Sequence, residues 1–297
     1  MDYNKIISSL RKFGSTEQDI CRHGLGVTPE QINEDVIIAP WWKPSVLPKL
    51  GEAKLLTNTA KLGIAVWNIE NADRVMTYIR TGLGAPQFLE GLLPLGLTKC
   101  KRIIFIGSVG SLDPNINIGD IVIPEYSVCG DGASRYIASE DLSHDVFGEK
   151  VYPDLSMLDN TVSETKRICN EYDVKWHIAK NFSSDTITAE FAHIDAILKM
   201  DCNVIEMETA VAFRAASLMN IAMTAIFSVS DNVITKKSLV SGRSNEEMEY
   251  REFTRREIFP EIILSVFNKK IEAFVLEATP RFELGNGGFA NIGLIGE

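Results

Sequence analysis

Glu206 and Glu208 stand two apart in Val204-Ile205-Glu206-Met207-Glu208-Thr209-Ala210, directly after a short apolar run. On an extended segment such residues share a face. Carboxylates beside a buried strand are costly unless they bind something, and a pair of them suits adjacent hydroxyl groups such as those of a sugar. The same residues also suit a helix N-terminus, where Glu208 would complement the dipole. A second apolar run ends on an acid, in Ala225-Ile226-Phe227-Ser228-Val229-Ser230-Asp231-Asn232. Partial burial would raise the pKa of Asp231 and let it donate a proton, although Asp-Asn after a strand also suits an N-cap or Asx turn. A third stretch, Ile103-Ile104-Phe105-Ile106-Gly107-Ser108-Val109-Gly110-Ser111, predicts a strand running into a Gly/Ser turn. Backbone N–H groups in such a turn, with the Ser108 hydroxyl, can face an anion. The plainer alternative is a tight strand exit in which glycine relieves crowding.

Other chemistries lack their residues. His23, His144, His177 and His193 form no close ligand pair, and the five cysteines (Cys21, Cys100, Cys129, Cys169, Cys202) make no CxxC. No metal site is expected. There is no G-x-S-x-G elbow for a serine hydrolase. Thr81-Gly82-Leu83-Gly84-Ala85-Pro86 lacks the third glycine and downstream acid of a dinucleotide site.

The elements that must position these residues follow from the pattern. Short apolar runs recur at Val36–Ala39, Arg74–Ile79, Arg102–Ile106, Asp120–Ile123, Lys175–Ala179, Asn203–Ile205 and Ala222–Val229. Each has the length and the Gly, Pro, Asn or Asp boundaries of a buried strand. Helix-like segments lie between them at Ala85–Leu97, Ser156–Tyr172, Ala189–Met200 and Glu208–Met219. The segment Glu246–Val275 reads as a long amphipathic helix that Pro260 kinks or splits. Near-continuous apolar strands alternating with helices indicate an α/β fold: a single domain with a mixed, mostly parallel central sheet flanked by helices. Its ligands belong beyond the carboxyl ends of the strands. Residues 1–34 read as a helix and connecting arm, 35–279 as the α/β domain and 280–297 as an irregular Gly-rich tail.

The chain has 45% apolar and 24% charged residues, an ordinary globular mix. Its formal net charge of −10 argues against nucleic acid as a partner. No apolar stretch is long enough to span a membrane. The N-terminus lacks a signal-peptide layout, and scattered, odd-numbered cysteines fit reduced thiols in the cytoplasm.

Taken together, these residues resemble the nucleoside phosphorylase/nucleosidase superfamily, over roughly residues 35–270 in order and spacing. Gly82-Leu83-Gly84-Ala85-Pro86 is similar to the G-M-G-I-P turn of hexameric purine enzymes. Gly107-Ser108-Val109-Gly110 followed by Asn117-Ile118-Gly119-Asp120-Ile121-Val122 resembles their G-S-x-G…G-D-x-V stretch. Asp131-Gly132-Ala133-Ser134 and Ser183-Ser184-Asp185-Thr186 look like segments of uridine phosphorylases. Glu206-Met207-Glu208 matches the family's E-M-E, and Ser230-Asp231 the S-D of purine-cleaving members.

The resemblance implies a phosphorylase/hydrolase-like fold and cleavage of an N-glycosidic bond through a ribosyl cation-like transition state. It makes the protein a pentosyltransferase with inorganic phosphate as co-substrate and no cofactor. Glu208 would then accept from the ribose hydroxyls and Met207 pack on the sugar. Asp231, with Ser230 beside it and Arg243 as its partner, would protonate or hydrogen-bond N7 of a purine. Glu206, Gly107, Ser108, Ile187, Lys43 and Trp41 are further candidates to touch substrate. Uracil-specific members carry Gln and Arg just beyond S-S-D-T, where this chain reads Ile187-Thr188-Ala189-Glu190-Phe191; a purine is favoured. Two phosphate-binding features are altered. The G-D-P-x-x-R loop after the first strand is replaced by Pro40-Trp41-Trp42-Lys43-Pro44-Ser45, and the arginine two residues before the G-S turn by Phe105. Lysine replaces bidentate guanidinium contacts poorly; Ser108 and Lys43 with an arginine such as Arg22, Arg74 or Arg80 remain to hold phosphate. The first loop has no acid to activate water either, so hydrolysis and silent nucleoside or nucleotide binding stand as alternatives. Trp41 and Trp42 either stack on substrate or pack in a core or interface. Arg22 and His23 sit roughly where relatives send a residue across a subunit boundary, implying a homo-oligomer (dimer, trimer or hexamer).

Overall fold

The computed structural model describes residues 1–59 and 62–270. The expected tail 280–297 and the last turn of the expected C-terminal helix, 271–275, lie outside the described residues. The strands are β1 (Asp35–Ala39), β2 (Glu52–Thr59), β3 (Ile64–Glu70), β4 (Val75–Arg80), β5 (Arg102–Ser111), β6 (Ile121–Cys129), β7 (Lys150–Val151), β8 (Trp176–Ser183), β9 (Val204–Glu206) and β10 (Ala222–Asn232). The helices are α1 (Tyr3–Lys12), α2 (Glu17–Gly24), α3 (Ala85–Leu92), α4 (Arg135–Ala138), α5 (Leu155–Tyr172), α6 (Ile194–Lys199), α7 (Thr209–Met219), α8 (Asn245–Phe253) and α9 (Phe259–Asn268).

All ten strands join one mixed sheet. β1 runs parallel to β4 and β5, β5 to β10, β6 to β8 and β8 to β9. The pairings β2–β3, β3–β4, β5–β9, β6–β7 and β6–β10 are antiparallel. The sheet is thus less parallel than the apolar runs suggest, because the antiparallel strands β2, β3 and β7 are not among those runs. It also curls shut. β10 pairs with both β5 and β6, so β5, β10, β6, β8 and β9 form a closed ring from which β1, β4, β3 and β2 extend.

Alternation along the strands splits the core into two faces. Val36, Ile38, Ile103, Phe105 and Phe227 face α3, α7 and the N-terminal segment, whose Tyr3, Ile7, Leu25 and Ile32 enter the same cluster. Ile37, Ile104, Ile106 and Ile226 face α5 and α9, through Met157, Ile168, Phe259 and Ile263. Burying each such side chain is worth about 1.5–3 kcal/mol. Phe105 stacks between Phe88 and Phe227, with ring centroids 4.6 and 4.8 Å away.

Two helix predictions divide at proline. Ala85–Leu97 is α3 followed by a 3-10 turn at Leu93–Leu97, since Pro94 offers no N–H to continue the ladder. In the C-terminal segment Pro260 falls in the first turn of α9, and the ladder before it widens into a π turn over Thr254–Ile258. The start of α8 is fixed by a capping box between Ser244 and Glu247. The five cysteines are buried free thiols, and no described helix is long and apolar enough to cross a membrane.

Candidate active site

The two glutamates converge, yet they have different surroundings. Glu206 ends β9 and its carboxylate accepts from Asn181 Nδ2 (2.7 Å) and Ser183 Oγ (2.6 Å). It also accepts from the Glu208 and Thr209 backbone N–H groups at the start of α7 (2.6 and 2.8 Å). These are orphan donors of a helix N-terminus, where an anion is favoured. Glu206 is therefore spent on the protein, and the expected paired grip on a sugar reduces to Glu208. Glu208 accepts from the Gly84 N–H at 2.6 Å. That donor comes from the turn before α3, which Gly82 and Gly84 form with φ of +107° and +90°. Burial pushes the Glu208 pKa well above the usual carboxylate range, and the charge of Glu206 pushes it further. Burial also raises Glu206, but its four donors oppose this. Of the two, Glu208 is pushed up the further.

Asp231 lies at the far end of β10. A bulge between Val229 and Asp231 brings it opposite Gly110 of β5. Gly110 is partnered on its other side by Ile205, so Asp231 and the β9 acid end are two strand spacings apart, about 10 Å. A Cβ at Gly110 would stand 3.3 Å from Asp231 Oδ2, so glycine leaves room for the acid. The Ser230 hydroxyl lies 2.6 Å from Asp231 Oδ1 and 3.0 Å from the Val109 carbonyl. Burial raises the Asp231 pKa, while this hydroxyl and the charges of Arg243 and Arg251 oppose the rise. The turn chemistry expected of Asp-Asn belongs to its neighbour. Asn232 donates to the Asp113 and Ile116 carbonyls (2.8 and 2.9 Å) and accepts from the Thr235 N–H (3.0 Å). Asp231 is left free of that work.

The expected Gly/Ser turn is not a turn. β5 continues through Ser111, held along its length by β10 and at Gly110–Ser111 by β9. Gly107 lies within the strand, against the Phe227 ring. Its other neighbour β1 leaves at Phe105, so one edge of residues 106–109 is open. On the α8 side, Arg251 Nη2 donates to Ser108 Oγ at 2.7 Å. Arg251 is only 8% exposed, its Nε has no hydrogen-bond partner, and among the described residues it forms no ion pair. Burial lowers its pKa to about 10, and the charges of Arg255 and Arg243 act in the same direction. Ser228, paired with Ser108 across the ladder and therefore on the same face, is also buried with an unpartnered hydroxyl. Arg255 lies over the Trp42 ring, 5.7 Å from its centroid, in the loop after β1. The arrangement is a cationic, hydroxyl-lined place for an anion.

The remaining candidates are dispersed. Arg243 donates to the Leu239 carbonyl at 2.7 Å and reaches the Ser230 carbonyl at 3.4 Å, with its charge within range of Asp231. Met207 is half-buried beside the two glutamates, and Ile187 is exposed on the loop after β8. The paired tryptophans separate: Trp42 is buried edge-on to Phe259, whereas Trp41 is 70% exposed. Lys43 is exposed in the same loop and makes no ion pair among the described residues. Arg74 is removed from the anion place, since with Arg102 it is paired to Asp35 at the other end of the strands. Phe105, where an arginine was missed, is part of the core. Arg251 escaped sequence reading because Arg251-Glu252 and Arg255-Arg256-Glu257 look like a solvated helix face.

A family model described as the phosphorylase superfamily matches residues 58–257. The chain belongs to this superfamily. Among its phosphorylase-superfamily relatives, a DeoD-type purine nucleoside phosphorylase from Buchnera aphidicola is 30% identical over 177 residues, 59% of this chain and 70% of that protein. The uridine phosphorylase of Escherichia coli is 28% identical over 118 residues, 38% of this chain and 46% of that enzyme, so the chain spans less than half of it. A solved uridine phosphorylase from Vibrio fischeri superposes with a TM-score of 0.64 at 18% identity, covering 80% of this chain and 94% of that one. This last likeness is one of fold. It agrees with the mixed α/β sheet flanked by helices.

Proposed function

We propose that the protein cleaves the N-glycosidic bond of a purine nucleoside and transfers the ribosyl group to inorganic phosphate. The observation that carries this reading is the buried Arg251 on Ser108, in no ion pair among the described residues and within electrostatic reach of Asp231. A buried cation with no carboxylate bonded to it is costly, a cost offset when an anion occupies the site. Asp231 gives its proton to N7 as the bond from C1′ to N9 breaks, so the base leaves neutral. A phosphate oxygen then bonds to C1′. Glu208, once ionised, accepts from the ribose hydroxyls and holds the developing cation. Fixed charges around a developing charge contribute as much as the proton donor or more. No metal or organic cofactor is required by this chemistry.

Water as acceptor is the second reading, supported by the loss of the arginine at Phe105 to the core. Base release from inosine, adenosine and methylthioadenosine, with and without phosphate, tests both. The expected result is release that rises with phosphate and yields a sugar 1-phosphate. A rate indifferent to phosphate transfers the assignment to hydrolysis. Tight binding with no release over long incubation makes the protein a nucleoside-binding module.

We also propose a homo-oligomer, supported by the resemblance and by exposed Phe13, Arg22 and His23 in the N-terminal segment and exposed Trp41 after β1. Sedimentation as a 33.0 kDa species would contradict it.

A further inference from the structure

The turn at Gly119 and Asp120, just before β6, is tied in two directions. Toward β10, the Gly119 N–H donates to the Val229 carbonyl at 2.9 Å, and the Val229 N–H to the Asp120 carbonyl at 3.0 Å. The buried Asp120 carboxylate closes the turn by accepting from the Asn117 N–H at 2.9 Å, and it lies 2.9 Å from His177 Nε2. Toward α8, the turn meets the helix backbone itself. Gly119 has a φ of +89°, and a Cβ there would stand 2.5 Å from the Tyr250 ring, 3.0 Å from the Arg251 nitrogen and 3.1 Å from the Arg251 Cα. All three are well inside the 3.5–4.0 Å or so of ordinary contact. Two hydrogen bonds hold the helix on either side of this approach. The Tyr250 hydroxyl accepts from the Lys175 N–H at 3.1 Å. The Thr254 hydroxyl donates to the Gly119 carbonyl (3.1 Å) and the Arg251 carbonyl (3.0 Å). Thr254 is buried and opens the π turn Thr254–Ile258. Arg251 therefore lies between two anchors, where α8 meets the turn.

We propose that Gly119 and Thr254 are positioning residues for the anion place: they set how far Arg251 reaches over Ser108, and through it the affinity for phosphate. This rests on the reading of Arg251 given above. The Arg251 guanidinium makes a single direct hydrogen bond to another side chain, at 2.7 Å to Ser108 Oγ. Such bonds weaken steeply with length and misalignment, so the head group follows its backbone. β10 is bonded to both β5 and β6, whereas α8 is a helix outside the ladder. A side chain at position 119 therefore displaces the helix rather than the sheet. It carries Arg251 away from Ser108 and leaves Asp231 in place. Removing the Thr254 hydroxyl loosens the same helix without adding bulk.

The test measures phosphate affinity by calorimetry, and KM for phosphate and for nucleoside by steady-state kinetics, in Gly119→Ala, Thr254→Val and Thr254→Ser. The first two are also combined with Arg251→Met, and melting curves identify the folded variants. Thr254→Val is expected to weaken phosphate binding about 2–10-fold, the loss of one hydrogen bond. Gly119→Ala weakens it further, up to the full effect of Arg251→Met. Thr254→Ser keeps the affinity of the unmodified chain, and the nucleoside KM holds in all three. With Arg251→Met already present, neither substitution lowers phosphate affinity again, because residues acting through one group are not additive. Unchanged phosphate affinity in folded Thr254→Val overturns the proposal. So does a full loss on top of Arg251→Met, or a matching rise in the nucleoside KM. If Gly119→Ala does not fold, the two Thr254 variants decide. If Arg251→Met alone weakens phosphate binding, the proposed function stands and the positioning role falls. If the unmodified chain binds no phosphate, both fall.

Discussion

The two sides of the candidate site handle buried charge in opposite ways. On the α7 side, Glu206 is surrounded by four donors from its own chain, and its charge is absorbed into the architecture of β8, β9 and the helix start. On the α8 side, Arg251 has one hydroxyl and no carboxylate, beside another buried hydroxyl without a partner. Buried polar groups are ordinarily satisfied. A saturated ion is therefore a structural part, and an unsatisfied one marks where a ligand belongs. Asp231 and Glu208 are less fully satisfied than Glu206, Asp231 beside the Ser230 hydroxyl and Glu208 on the Gly84 N–H, which is why the proposed function gives them the chemistry.

The largest effect that would break this contrast is at Asp231. Asp231→Asn keeps the shape but removes the transferable proton, and base release is expected to fall about 10²–10⁴-fold. Its raised pKa sets the sign of the pH profile, because the acid form works and activity declines as pH rises through that pKa. Glu208 must be ionised, so nucleoside affinity declines as pH falls. A steady-state profile whose kcat/KM stays high in strong acid would contradict the second statement. Next comes Arg251→Met. Losing a charge-assisted bond to a ligand costs about 1.5–3 kcal/mol, or roughly 10–150-fold in the apparent affinity for phosphate. The melting temperature should hold or rise, since a burdensome buried ion is gone; a clear fall would assign Arg251 to structure instead.

Glu206→Ala sharpens the comparison from the other side. It strands the donors of Asn181, Ser183 and the α7 N-terminus, and denaturant unfolding should show a loss of about 3 kcal/mol or more. Glu208→Gln should leave unfolding nearly unchanged while raising KM for the nucleoside. Equal stability losses in the two variants would erase the distinction. The smallest effect is expected at Gly110→Ala, whose Cβ would crowd Asp231 Oδ2 and the Ile205 side chain, each at 3.3 Å. A few-fold fall in base release with little change in stability is the expected reading of rate and melting assays.

Much of this was legible in order along the chain. The apolar runs ending at Ile205 and Val229 located β9 and β10, whose far ends carry the acids Glu206 and Asp231. The glycines at Gly82 and Gly84 announced a turn that no other residue adopts freely. Other features left no local trace. β2 is exposed along residues 52–55 and β7 is two residues long, so neither has the apolar run by which other strands are found; β3 does carry one, and buries Ile64, Ala65, Val66 and Ile69. Ser183 and Asn181 read as ordinary strand residues, yet they hold Glu206. Arg251 is a charged residue on a segment that patterns as surface.

Residue type and spacing alone therefore determined the strand-and-helix alternation, the acid ends of β9 and β10 and the family resemblance. These depend on hydrophobic periodicity and local turn chemistry, which neighbouring residues set among themselves. Only the tertiary structure decided that the sheet closes on itself, that Glu206 gathers four donors while Glu208 takes the Gly84 N–H, and that Arg251 meets Ser108 across 143 residues. Those outcomes turn on which donors and charges remain unpaired after packing. That balance does not exist until distant segments have come together.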